Sequence, residues 1–205
     1  MICYGFVPVY RPARPAPAFW NILKTIPALL VTGLLVVGLI PRFIASWQLG
    51  GEFDALIFPG HHPLGIAFGA GGTLLVAWSG LTLAITGNGT PMPFDAPRRL
   101  VMVGPYSWFR NPMVTGTVAQ GVGAGVYLGS GLVIICFLLC ALLWDVLVRH
   151  DDEDRLQKSF GREFEAYRRN VRCWLPMRRS WAPPPRTGPI SLDELPDPPR
   201  PRRRQ

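Results

Sequence analysis

Charge is what this chain has least of. Only 17% of its 205 residues are charged against 49% hydrophobic, and the charges avoid whole segments. That distribution excludes an ordinary soluble fold and leaves room for one domain. Cysteine is sparse too: Cys3, Cys136, Cys140 and Cys173 stand without metal-ligand spacing, two of them inside an apolar run. Neither a disulfide framework nor a zinc site is supported, so they read as buried or lipid-facing thiols. The chain has no Ser/His/Asp order, catalytic-cysteine context or phosphate-binding loop, so hydrolysis and phosphoryl transfer lack their parts. No nucleic-acid recognition motif accompanies the net charge of +8. The basic residues sit beside apolar spans and in an arginine-rich tail, the pattern of a protein facing anionic lipid.

Long apolar runs are what the chain does have. Residues 22–40 are about as long as a hydrocarbon core requires, roughly 28 Å at 1.5 Å per residue, and no small-residue cleavage site follows them. They read as a retained first transmembrane helix, with Lys24 snorkelling and Pro27 in its early turns. Residues 41–63 form a connecting loop whose Trp47, Phe53 and Phe58 suit the headgroup level. Adjacent His61 and His62 lack a third ligand and read as interfacial rather than as a metal site. Residues 63–86 carry no charge and make a second span, with Gly65 and Gly69 as a small-residue packing face. An irregular loop rich in proline and glycine leads through Arg98 and Arg99 to the next apolar stretch. Residues 113–129 and 131–148 then form a helical hairpin around Gly129-Ser130-Gly131, with Gly121, Gly125 and Gly129 recurring every four residues for close helix packing. The Gly-x-Gly pairs there follow no strand, so a dinucleotide fingerprint is rejected.

The expected fold is therefore all-α and integral to the membrane, with four transmembrane helices. An amphipathic interfacial helix over residues 152–172 follows, in which Leu156, Phe160, Phe164, Tyr167 and Val171 recur at helical spacing and Gly161 breaks or bends the run. Residues 1–18 form a Pro-rich N-terminus, 19–176 the membrane domain, and 177–205 a disordered Arg/Pro-rich tail. Lysine and arginine placement puts both termini and the loop bearing Arg98, Arg99 and Arg110 on the cytoplasmic side. A rigid aromatic hinge, Gly104-Pro105-Tyr106-Ser107-Trp108-Phe109-Arg110-Asn111-Pro112, then shares one surface with the acidic cluster at Asp151, Asp152, Glu153 and Asp154. Asp145, in the last turns of the fourth span, needs a partner or water.

These residues carry a resemblance. Gly87-Asn88-Gly89-Thr90-Pro91, Gly104-Pro105-Tyr106, Arg110-Asn111-Pro112-Met113 and Gly116, then Asp152-Glu153, Leu156, Phe160-Gly161, Phe164, Tyr167 and Trp174-Leu175-Pro176 together resemble the isoprenylcysteine carboxyl methyltransferases and the wider phospholipid methyltransferase group. The resemblance covers roughly residues 60–176. It implies a membrane enzyme that uses S-adenosylmethionine at the cytoplasmic end and takes a lipophilic acceptor, a carboxylate ahead of an amine or thiol, from the bilayer. It further implies Arg110 and Glu153 as catalytic residues. The cofactor would be held by Gly104, Tyr106, Arg110, Asn111, Pro112, Asp152, Glu153 and Tyr167, with Trp108 and Arg172 toward the substrate. The family usually carries histidine where this chain has Asn111 and tyrosine where it has Val114, although a bacterial branch tolerates the asparagine. An NADPH-dependent sterol-type reductase has a similar terminal region with more spans before the hinge, and a non-catalytic scaffold would keep only the shape.

Overall fold

A computed structural model describes residues 18–47, 57–87 and 99–183, and every regular element among them is helical. The residues called a Pro-rich N-terminus, most of the loop before Arg99, Phe53, and the tail beyond 183 lie outside the described residues.

The first helix is longer than expected at both ends. It begins as α1 (Ala18–Gly33), passes through a π-helical turn (Leu34–Leu39) and continues as α2 (Ile40–Ser46), so Phe19–Ser46 runs as one apolar helix. Pro41 therefore does not open a loop. It has no amide to give, and the π-helical turn just before it absorbs the gap, with the Ile40 amide reaching back five residues to the Leu35 carbonyl. Helix α3 (His61–Thr86) is the second helix long and apolar enough to cross a membrane. Helix α4 (Pro112–Leu128) starts on a proline, again where an amide would be orphaned, and ends at Gly129, whose φ of 67° terminates it. Ser130 caps α5 (Gly131–Leu147) by accepting the Val133 amide at 3.3 Å, so the hairpin turn is closed by its own short sequence. Large apolar side chains such as Leu30, Leu74, Trp78 and Leu142 point outward, as lipid-facing residues do.

Helices α3 and α4 are the most closely packed pair. A Cβ on Gly65 would stand 2.6 Å from the Tyr127 nitrogen, and one on Gly72 2.6 Å from the Gly116 carbonyl, so the two backbones touch. The seam pairs Gly65 and Gly72 with Gly123 and Gly116, two turns apart on each helix. The face expected from Gly65 and Gly69 is present, since a Cβ on Gly123 would run into the Gly69 nitrogen, and Gly72 extends it, although a Cβ on Gly69 itself would meet nothing within 4 Å. On another side of α4, Gly121 and Gly125 receive Phe137 and Ile134 of α5.

Helix α6 (Arg149–Asn170) leaves α5 at a bend of 43°. At Gly161, φ 51° and ψ −123° divide α6 into two arms. In a straight helix Glu153 and Arg168 would lie about 22 Å apart, yet their side chains meet at 3.6 Å, so the arms fold back on each other. Phe164, Tyr167 and Val171 then bury against Met102, with Leu156, Phe160, Met177 and Trp181 around them. Where the sequence places the start of a tail at Met177, the chain instead stays packed: the Met177 amide donates to the Trp108 carbonyl at 3.1 Å and the Trp181 amide to the Ser107 carbonyl at 2.9 Å.

Candidate active site

The hinge before α4 is held from both sides. Gly104 adopts a φ of 60°, which lets the chain turn against Thr82 at the end of α3. The 3₁₀ turn Gly104–Ser107 follows, with Ser107 Oγ donating to the Gly104 carbonyl at 2.7 Å. From the other side, the Arg110 amide donates to the Arg172 carbonyl at 2.9 Å and the Asn111 amide to the Cys173 carbonyl at 3.4 Å. Asn111 Nδ2 also approaches Cys173 Sγ at 3.2 Å, so this side chain ties the hinge to the segment after α6. Tyr167 Oη donates to the Tyr106 carbonyl at 2.6 Å, and burial pushes both phenols above their ordinary pKa, keeping them neutral.

Arg110 and Glu153, the expected catalytic pair, are joined directly: Nη1 lies 2.6 Å from Oε1 with both side chains mostly buried. Arg149 Nη1 reaches the same oxygen at 3.5 Å and Arg168 Nη1 the other at 3.6 Å. Arg149 in turn donates from Nε to Asp145 Oδ1 at 2.6 Å, and Trp174 Nε1 donates to that oxygen at 2.7 Å. Asp145 therefore has the partners it needs and belongs to the cluster. Three guanidinium groups face two carboxylates, and Arg110 Nε is buried without a hydrogen-bond acceptor.

Other expected residues stand farther off. Asp152 is half-buried, its nearest cation is Arg155 at 3.9 Å, and burial raises its pKa. Trp108 is exposed at the rim, and Arg172 offers its carbonyl to the hinge while its side chain is exposed. His61 Nδ1 lies 2.8 Å from the Phe58 carbonyl and His62 packs edge-on to Tyr127; among the described residues no group of three or more His, Cys, Asp or Glu could hold a metal ion. Arg149, Arg168 and Trp174 went unassigned from sequence. The first was legible, since Asp145, Arg149 and Glu153 follow at steps of four with alternating charge. Arg168 depends on the fold-back at Gly161 and has no local signature.

Along the Pro112 half of α4 an apolar cleft of about 280 Å³ opens between α4 and α5, lined by Met113, Val114, Thr117, Phe137, Cys140 and Trp144 among others. The indole of Trp174 meets that of Trp144 edge to face at 5.8 Å, linking the cleft to the charged cluster.

Exposed apolar helices that deliver a buried charge cluster to one end of the bundle define a membrane protein with a polar site beside its lipid-facing surface. The family model for phospholipid methyltransferase matches residues 61–163, from the start of α3 to just past the Gly161 break, and the chain belongs to that family of membrane methyltransferases. Arg110, Asp145, Arg149, Asp152 and Glu153 all fall inside the match, whereas Tyr167, Arg168 and Arg172 follow it. No curated protein matches the chain.

Proposed function

We propose that this protein transfers a methyl group from S-adenosylmethionine to a lipophilic, membrane-dissolved carboxylate at the Arg110 end of α4. The observation that carries the reading is the buried, unpartnered Nε of Arg110 within a cluster richer in guanidinium than in carboxylate. Such a donor fits a carboxylate oxygen, whether of the acceptor or of the cofactor's methionyl end. An amine acceptor would call for a free carboxylate base, and both oxygens of Glu153 are already engaged by arginines.

The cofactor supplies a methyl group made electrophilic by its sulfonium. Arg110 orients and partly neutralises the carboxylate, and Glu153 holds Arg110 in place. Asp152, the freer carboxylate, would meet the cofactor's ammonium or ribose hydroxyls, and Gly104, Tyr106, Asn111, Pro112 and Tyr167 would hold the rest of it. A carboxylate nucleophile needs no general base, so the contribution of these residues is orientation and exclusion of water. The α4/α5 cleft takes the apolar part of the acceptor.

The reading includes four spans. Helices α4 and α5 have 17 residues each, about 25 Å at 1.5 Å per residue, a shortfall that local bilayer thinning accommodates. The two arms of α6 then lie at the cytoplasmic interface, with both termini on that side.

Calorimetry on the detergent-solubilised protein tests the donor: S-adenosylmethionine and its demethylated product bind and NADPH does not. The reverse preference overturns the proposal. Membranes incubated with methyl-labelled cofactor test the acceptor, because alkali releases a methyl ester as volatile methanol and leaves N- or S-methyl groups in place. Arg110→Lys and Glu153→Gln should each lower kcat/KM by about 100-fold or more while the protein still folds.

A further inference from the structure

A cleft of about 410 Å³ lies not at the charged cluster but at the opposite end of α4. It runs between the α1/α2 helix and the α3–α4 seam, from Arg42 and Tyr127 inward to Thr73. Its floor is glycine: Gly65 and Gly123 are consumed by the helix contact, and Gly69, whose backbone Gly123 also meets, leaves its own Cβ direction in free space and so creates the room. At the inner end Thr73 Oγ1 already donates to the Gly69 carbonyl at 2.8 Å and accepts from Gln120 Nε2 at 3.0 Å, while Gln120 Oε1 is buried without a partner among the described residues. Val37, Ile66 and Leu128 supply apolar walls. At the mouth, Arg42 is exposed and is the only charged lining residue, with no ion pair to any described residue. The rings of Tyr127 and His62 stand beside it, 5.0 Å apart.

A glycine-floored channel ending in an exposed guanidinium is complementary to a molecule with an apolar chain and an anionic head. We infer that this cleft binds an anionic phospholipid, with one acyl chain along Gly69 and the phosphate on Arg42. Since α4 separates it from Arg110, this lipid is a resident of the fold rather than the methyl acceptor, and the inference holds whatever the other end methylates.

Native mass spectrometry of the delipidated full chain, titrated with dioleoyl phosphatidylglycerol or dioleoyl phosphatidylcholine, tests it. Wild type should favour phosphatidylglycerol by about five-fold, the effect of one arginine at a headgroup. Arg42→Gln should remove the preference. Gly69→Leu should fill the channel and lower binding of both lipids by about ten-fold, while Gly71→Leu, on the same helix and in open space, should bind as wild type does. Equal wild-type affinity for the two lipids, or a preference that survives Arg42→Gln, overturns the inference. Unchanged binding by Gly69→Leu removes the cleft as its place. Arg42→Gln alone decides the matter if Gly69→Leu fails to express.

Discussion

Along the seam between α3 and α4, backbone lies on backbone at Gly65, Gly72, Gly116 and Gly123, and a single side-chain hydrogen bond, Gln120 to Thr73, crosses it. At the Pro112 end the reverse holds: long side chains reach across between elements, and arginines from α6 and the hinge share the Glu153 carboxylate. The seam tolerates no added volume because nothing in it can move aside except the helices themselves. The cluster tolerates movement but not loss of charge, because three guanidinium groups share the Glu153 carboxylate, which is mostly withdrawn from water. One region is therefore specified by the absence of side chains and the other by their chemistry.

The largest expected effect comes from breaking the seam. Gly123→Leu would drive its Cβ into the Gly65 carbonyl at 2.8 Å, and overpacking of this kind should cost about 3 kcal/mol or more. Thermal unfolding in detergent should show a large drop, whereas Gly71→Leu should leave the midpoint where it is; equal effects would mean that the seam is not the constraint. Next in size is Asp145→Asn, which keeps an acceptor for Trp174 but removes the charge facing Arg149. Loss of a charged hydrogen bond predicts about 1–2 kcal/mol of stability, together with a several-fold fall in kcat/KM because Arg149 no longer steadies Glu153. Activity unchanged at that stability loss would separate Asp145 from the site.

Asp152→Asn should have the smallest effect on stability, and of opposite sign. Burial raises its pKa, so the stability linked to its protonated form is present below the ordinary 3.8 and is lost as pH rises through the folded-state value. At neutral pH the ionised group is thus mildly unfavourable, and its half-exposed position keeps the effect small through solvent screening. Asparagine should raise the melting midpoint slightly while weakening cofactor binding a few-fold. A lowered midpoint would contradict the burial argument.

Much of this architecture was legible because its signals are local. Pro112 and Gly129 bound α4, Ser130 caps α5, and Gly161 breaks α6, each through the conformations its own backbone allows or forbids. Arg110 and Glu153 were legible as members of a motif. The first helix runs on through Pro41, where a loop was expected, because the π-helical turn before it absorbs the missing amide. Gly65 and Gly69 were legible as a packing face from their four-residue spacing, and both meet Gly123, while Gly72 extends the contact to Gly116.

The sequence by itself determined that the described residues are helical, that their long runs are apolar enough for lipid, and where α4 and α5 begin and end, because hydrophobicity and backbone freedom act within a few residues. Only the tertiary structure decided which charges meet. Arg168 joins Glu153 through the fold-back at Gly161, and Arg110 is clamped by the carbonyl of Arg172, a residue 62 positions later in the chain. Such encounters follow from chain reversal and helix packing, which no spacing within a single helix records.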